Sequence, residues 1–149
     1  MIHKQPSKLL SIVLMSLLLL ANCGGNHEAP QGRWEAFSQS ANWIVAVRLE
    51  VDKGNIIHAT ALSIEVKDTS LPERVNLARK IKKMLPEEWE NAPEGKVDFD
   101  NNVLRRKGGV APLFIFDPKK LTMTFNFYAG GKLTEHIKLY PVKDFMVTG

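Results

Sequence analysis

Residues 121–140 read LTMTFNFYAGGKLTEHIKLY. Leu121, Met123, Phe125 and Phe127 alternate with Thr122, Thr124, Asn126 and Tyr128, the period-two pattern of a strand with one apolar face. Gly130-Gly131 follows, and glycine takes the positive φ that a tight hairpin turn needs without a steric cost. Leu133, Ile137 and Leu139 then line one face of a returning strand, opposite Thr134, His136, Lys138 and Tyr140. Glu135 breaks the pattern, because it falls on the apolar face. This stretch therefore predicts an antiparallel hairpin.

The same pattern recurs upstream. Trp43, Val45, Val47, Leu49 and Val51 share a face, Asp52-Lys53-Gly54-Asn55 has turn chemistry, and a second strand runs over 56–66. In that strand Ile57, Ala59 and Ala61 line one face while Ile64 and Val66 occupy the other, so both faces are expected to be covered. Ser70-Leu71-Pro72-Glu73 has the form of a capping box with proline in the first turn. Beyond it Leu77, Ala78, Ile81, Met84 and Leu85 fall on one arc of a helix, with Arg79, Lys80, Lys82 and Lys83 mostly on the other. Pro86 is expected to end the regular helix or to start a last turn through Trp89. Short strands at 97–99, 103–106 and 113–116 follow, then a turn at Asp117-Pro118-Lys119-Lys120. With a short strand at Trp34, the count is about eight strands and one helix. The fold class is mainly β: an antiparallel meander curled into a barrel, which removes exposed edges, or an open sheet with the helix on one face.

The chain has 149 residues, 44% of them hydrophobic and 24% charged, with a single cysteine. That length allows one domain and the apolar content excludes a disordered chain. One cysteine excludes an internal disulfide framework and a multi-cysteine zinc site. The formal net charge of +4 is no nucleic-acid footprint by itself.

The first residues carry an address. Lys4 and Lys8 precede an apolar run over 9–21, broken only by Ser11 and Ser16. The run is shorter than the ~20 residues that span a bilayer as a helix, and with its basic start it reads as an export signal. Leu20-Ala21-Asn22-Cys23 resembles the lipobox of bacterial lipoproteins, with Asn22 in place of the usual Gly, Ala or Ser. The resemblance implies cleavage before Cys23, a diacylglycerol on its thiol and an acyl chain such as palmitate on the new amine. It also implies release to the outer membrane, since Gly24 rather than Asp follows the cysteine. Three acyl chains, at ~0.8 kcal/mol per buried methylene, hold a protein to a membrane almost permanently. The expected organisation is a signal peptide over 1–22, a lipidated flexible tether over 23–32, and a single β-rich domain over 33–149. Loss of both signal lysines lowers the formal charge from +4 to +2.

Gly32-Arg33-Trp34 at the first strand is similar to the G-x-W of lipocalins, several of which are bacterial lipoproteins. In that family the tryptophan closes one barrel end near an arginine of the last strand; here Lys138 and Lys143 lie near that place. Lipocalins also carry their helix after the eighth strand, whereas here it falls between the third and fourth. The resemblance supports a lipocalin-like barrel shape.

No motif carries catalysis. G-x-S-x-G, P-loop, H-E-x-x-H and C-x-x-C are all missing from the sequence, and Glu87-Glu88 lies at a helix end. Asp98, Asp100 and Asn102 alternate as in a calcium loop, but the Gly and the bidentate Glu that such a loop needs fall at Val103 and Gly109, so a polar turn is expected. His58 and His136 have no ligand spacing, and neither a metal nor a cofactor is expected. Arg79, Lys80, Lys82 and Lys83, with Arg105, Arg106 and Lys107, form the densest basic groups, read as a solvated face or as a contact for anionic head groups. The aromatics matter most. In a barrel of eight strands one alternate set points inward, and the interior is just wide enough to be filled by side chains or to hold one small ligand. Ala46, Ala59 and Ala61 leave room for a cavity. The residues placed to line it are Trp43, Val45, Val47, Phe125 and Phe127. The expected function is non-catalytic binding of an apolar or amphipathic molecule by a membrane-anchored periplasmic lipoprotein. The alternative is an envelope assembly factor or inhibitor that docks a protein partner through a solid barrel. Nucleic acid is not an expected partner.

Overall fold

Turn chemistry orders the strands. Asn101-Asn102 and Gly130-Gly131 all have positive φ, the signature of two-residue hairpins whose twist matches that of the strands they join. The computed structural model describes residues 28–147, so the signal, Cys23 and the first part of the tether lie outside the described residues. Eight strands follow in chain order: β1 (Gly32–Gln39), β2 (Trp43–Asp52), β3 (Ile56–Glu65), β4 (Glu94–Asp100), β5 (Val103–Arg106), β6 (Pro112–Asp117), β7 (Thr122–Ala129) and β8 (Lys132–Val142). Each pairs antiparallel with the next, and β8 returns to β1 through Arg33↔Val142, Trp34↔Pro141 and Glu35↔Tyr140, which closes the barrel. The meander is therefore a barrel and not an open sheet.

The single described helix, α1 (Leu71–Asn91), connects β3 to β4. Ser70 caps it, its hydroxyl accepting from the Glu73 backbone N–H. Proline does not end this helix: α1 runs through Pro86 to Asn91. Packing compensates for the missing donor. Beyond Pro86, Trp89 stacks on His58 with ring centroids 3.9 Å apart and meets Phe145 edge-on at 4.7 Å.

The molecule has two cores. Inside the barrel lie Trp34, Val45, Val47, Leu49, Val51, Ile57, Val97, Leu104, Phe114, Met123, Phe127, Ile137 and Leu139. Outside it, Ile81 and Leu85 of α1 pack on Ile44, Ala46 and Val66. Burial of each such side chain contributes roughly 1.5–3 kcal/mol. Both faces of β2 are covered, which is why seven of its ten residues are buried. Ala46 belongs to the outer core, under the helix, and so leaves no room in the barrel; Ala59 faces the interior.

One end is capped. Trp34 is buried, donates its indole N–H to the Leu121 carbonyl at 3.3 Å, and lies 3.4 Å from where a Cβ on Gly32 would stand. Leu121 does not join the β7 face as its alternation implied; it has positive φ in the turn before β7 and is exposed. Residues 28–32, assigned to the tether by composition, are packed onto this end. Ala29 is buried and its N–H donates to Asn55 Oδ1 at 2.7 Å, while Gly32 is already in β1.

The opposite end is held by polar bonds. The register shifts between Phe127 and Tyr128, where Phe127 pairs with Glu135 but Tyr128 pairs with Leu133. This bulge breaks the alternation, so Leu133 is exposed while Glu135 is half-buried. The Ser40 hydroxyl donates to Glu135 and accepts from the Trp43 N–H at 3.1 Å. The residue that broke the sequence pattern thus ties β8 to the β1–β2 turn.

Candidate functional site

The wall of the barrel is incomplete on one side. β3 runs for ten residues, yet only Ile56, Ile57 and His58 pair with β4, opposite Lys96, Gly95 and Glu94. From Ala59 to Glu65 no strand is paired on that edge of β3. β4 and β5 are too short and too far toward the capped end to fill the space. β5 has four residues, and its pairing with β6 is irregular beyond Leu104.

This gap opens into the interior. A cavity of about 540 Å³ is lined on the barrel side by Val47, Ile57, Ala59, Ala61, Phe114 and Phe125, and at its rim by Glu94, Lys96, Arg106 and Lys107. A second space of about 400 Å³ shares Ala61, Leu113 and Phe125 with it and continues past Phe127 and Tyr128, away from the capped end. Volumes of this size hold small molecules. The small side chains of Ala59, Ala61 and Ser63 share the inward parity of β3, and Ala61 and Ser63 are exposed. Larger residues there would close the opening.

The residues expected to line a cavity separate into two groups. Val47, Phe125 and Phe127 lie on the walls of these two spaces. Val45 is fully buried, and Trp43 packs edge-on against Phe127 at 5.1 Å, so both support the wall from within the core. The lining also includes Leu113, Lys96 and the Pro93–Gly95 segment, none of which the sequence reading singled out. A signal for β3 was present, since beyond Ile57 the same face carries only the small side chains of Ala59, Ala61 and Ser63. For β4 the opening depends on register, which the sequence does not display.

Charge is unevenly placed. Lys96, Arg106 and Lys107 rim the opening beside a single acid, Glu94. None of the three cations pairs with an acid among the described residues. Two arginines elsewhere do form ion pairs. Arg33 bonds Glu50 at the capped end, and the hydrogen bond and charge of Glu50 raise the Arg33 pKa above its ordinary value. On the outer face of β1 and β2, Arg48 and Glu35 form a buried ion pair at 3.3 Å. Glu35 accepts from the Met146 and Val147 N–H groups at 2.9 and 3.1 Å, and Arg48 donates to the Val147 carbonyl at 2.7 Å. The pair clamps the C-terminal segment onto the barrel.

The other candidate chemistry is dispersed. His58 Nε2 lies 2.7 Å from the Trp89 carbonyl, and His136 Nδ1 lies 2.8 Å from Asn126 Oδ1. Asp98 accepts from the Gly108 N–H at 3.2 Å, and Asn101-Asn102 form the β4–β5 turn. Among the described residues no group of three His, Cys, Asp or Glu is placed to hold a metal, and no helix is long and apolar enough to cross a membrane. Comparison with known protein families finds no matching family model, and comparisons with curated proteins and with solved structures find no match either.

Proposed function

We propose that this chain is a lipid-anchored protein of the bacterial envelope that binds an apolar or amphipathic small molecule, without catalysis, inside its lipocalin-like barrel. The observation that carries the reading is the cavity of about 540 Å³ reached through the gap beside β3, with an apolar wall of Val47, Ile57, Ala59, Phe114 and Phe125. A solid barrel that docks a protein partner has no use for such a space. Anchoring through Cys23 suits this arrangement. Five residues separate Cys23 from Ala29 at the capped end, and the six steps between them reach at most about 20 Å when extended. The ten residues of β2 rise about 33 Å. The capped end then sits nearer the outer membrane and the opposite end is directed into the periplasm.

The test is native mass spectrometry of the exported chain carrying Cys23→Ala, measured before and after denaturation. A reproducible added mass that denaturation releases is expected. Ala61→Trp, which fills the opening from an exposed position, should abolish that mass while the thermal midpoint changes little. A bare polypeptide that also takes up no added long-chain alcohol or acid would overturn the reading.

A further inference from the structure

The cations of the rim are placed by strand register. Val97 pairs with Arg106 across the β4–β5 hairpin, and directly paired residues point to the same side of a sheet. Val97 and Leu104 are buried in the barrel core, so Arg106 has inward parity at the point where the wall is missing. It is nevertheless exposed, because the opening lies there. Lys96 and Lys107 flank this pair in sequence, Lys96 on the outward parity of β4. All three cations line the entrance to an apolar space, with Glu94 as the only acid in its lining.

Resting on the binding function proposed above, we infer that the opening selects single-chain amphiphiles with an anionic head group: the chain enters the barrel and the head stays at Arg106, Lys107 and Lys96. The inner wall of Val47, Ile57, Ala59, Phe114 and Phe125 offers no side-chain partner for a charge, and an unpaired charge there would be costly. A head group with a negative charge is therefore retained at the rim, where charge-assisted hydrogen bonds to guanidinium and ammonium groups are strongest. A cationic head meets repulsion at the same place, and a neutral one gains little. Carboxylate and phosphate heads share this chemistry.

The experiment compares four ligands with the same chain, namely dodecanoate, dodecyl phosphate, dodecanol and dodecyltrimethylammonium. Each is titrated calorimetrically, below micelle formation, into the exported chain carrying Cys23→Ala. The anions should bind about tenfold more tightly than the alcohol, the effect of two or three partly exposed ion pairs. The preference should shrink as salt is raised. In the double variant Arg106→Gln, Lys107→Gln the ratio of anion to alcohol affinity should fall toward one, with far-UV circular dichroism reporting the fold. Whichever anion leads assigns the natural source, a fatty acid or a phosphate-headed lipid. Equal affinity for acid and alcohol, or a preference indifferent to salt, overturns the head-group assignment but leaves the cavity reading standing. Failure of all four to bind overturns both.

Discussion

Glu35 and Arg48 show how much one buried contact can organise. Both side chains are about 5% exposed, and Glu35 also holds the backbone of Met146 and Val147. Removing one partner leaves a buried charge uncompensated, which typically costs about 3–5 kcal/mol. Glu35→Ala should therefore lower stability by roughly that amount in denaturant titration, and should speed hydrogen exchange at residues 146 and 147 before the barrel itself opens. A loss below about 1 kcal/mol would show that the clamp is not fastened by this pair. Little of this was legible in advance. Glu35 and Arg48 lie on the polar parity of β1 and β2, which in an isolated sheet faces water; only the docking of α1 and the C-terminal segment buries that face. Glu135 is the converse case. Its conflict with the apolar pattern was visible, but its partner Ser40 is 95 residues away.

At the level of elements, α1 takes the second of the two courses the sequence left open at Pro86 and continues through Trp89 to Asn91. A proline inside a helix removes one hydrogen bond and crowds the preceding turn, at a cost of about 3 kcal/mol. Pro86 is nevertheless internal to α1, because Leu85 is fully buried beneath it and Trp89 is held by His58 and Phe145. Tertiary packing offsets a local defect. Pro86→Ala should accordingly raise the thermal midpoint, with a gain of about 1–2 kcal/mol once the greater freedom of the unfolded alanine chain is counted. A fall in the midpoint would mean that Pro86 helps to place Trp89 against His58. β3 teaches a related lesson. Its two faces, small inside and Leu62 and Ile64 under the helix, were readable from alternation. Its unpaired edge was not, because pairing depends on where β4 begins.

For the whole molecule, the closed topology and the local gap have a common dynamic consequence. β2 is paired with β3 along its full length and with β1 from Ile44 to Val51, and is covered on both faces. Its amides should exchange slowest, near the global unfolding free energy. The amides of residues 59–65 that point to the open edge should exchange fastest among the strand residues, and should slow when a ligand occupies the cavity. Hydrogen exchange with mass detection checks both. Uniform protection along β3 would mean that the gap closes in solution.

The sequence by itself determined the elements: eight short strands, their turns, one amphipathic helix with its Ser70 cap, and the apolar parity of β2, β3 and β7. These depend on side-chain alternation and turn stereochemistry, which act over a few residues. Its N-terminal pattern also set the expectation of an export signal and of lipid on Cys23. Tertiary structure alone decided that the sheet closes from β8 to β1, that residues 28–32 pack on the capped end, and that α1 continues through Pro86. It also decided that β3 and β4 meet over only three residues, which leaves the opening and gathers Lys96, Arg106 and Lys107 around it. Those features depend on register and on contacts between distant segments, and a one-residue shift of β4 would move every one of its side chains to the other face.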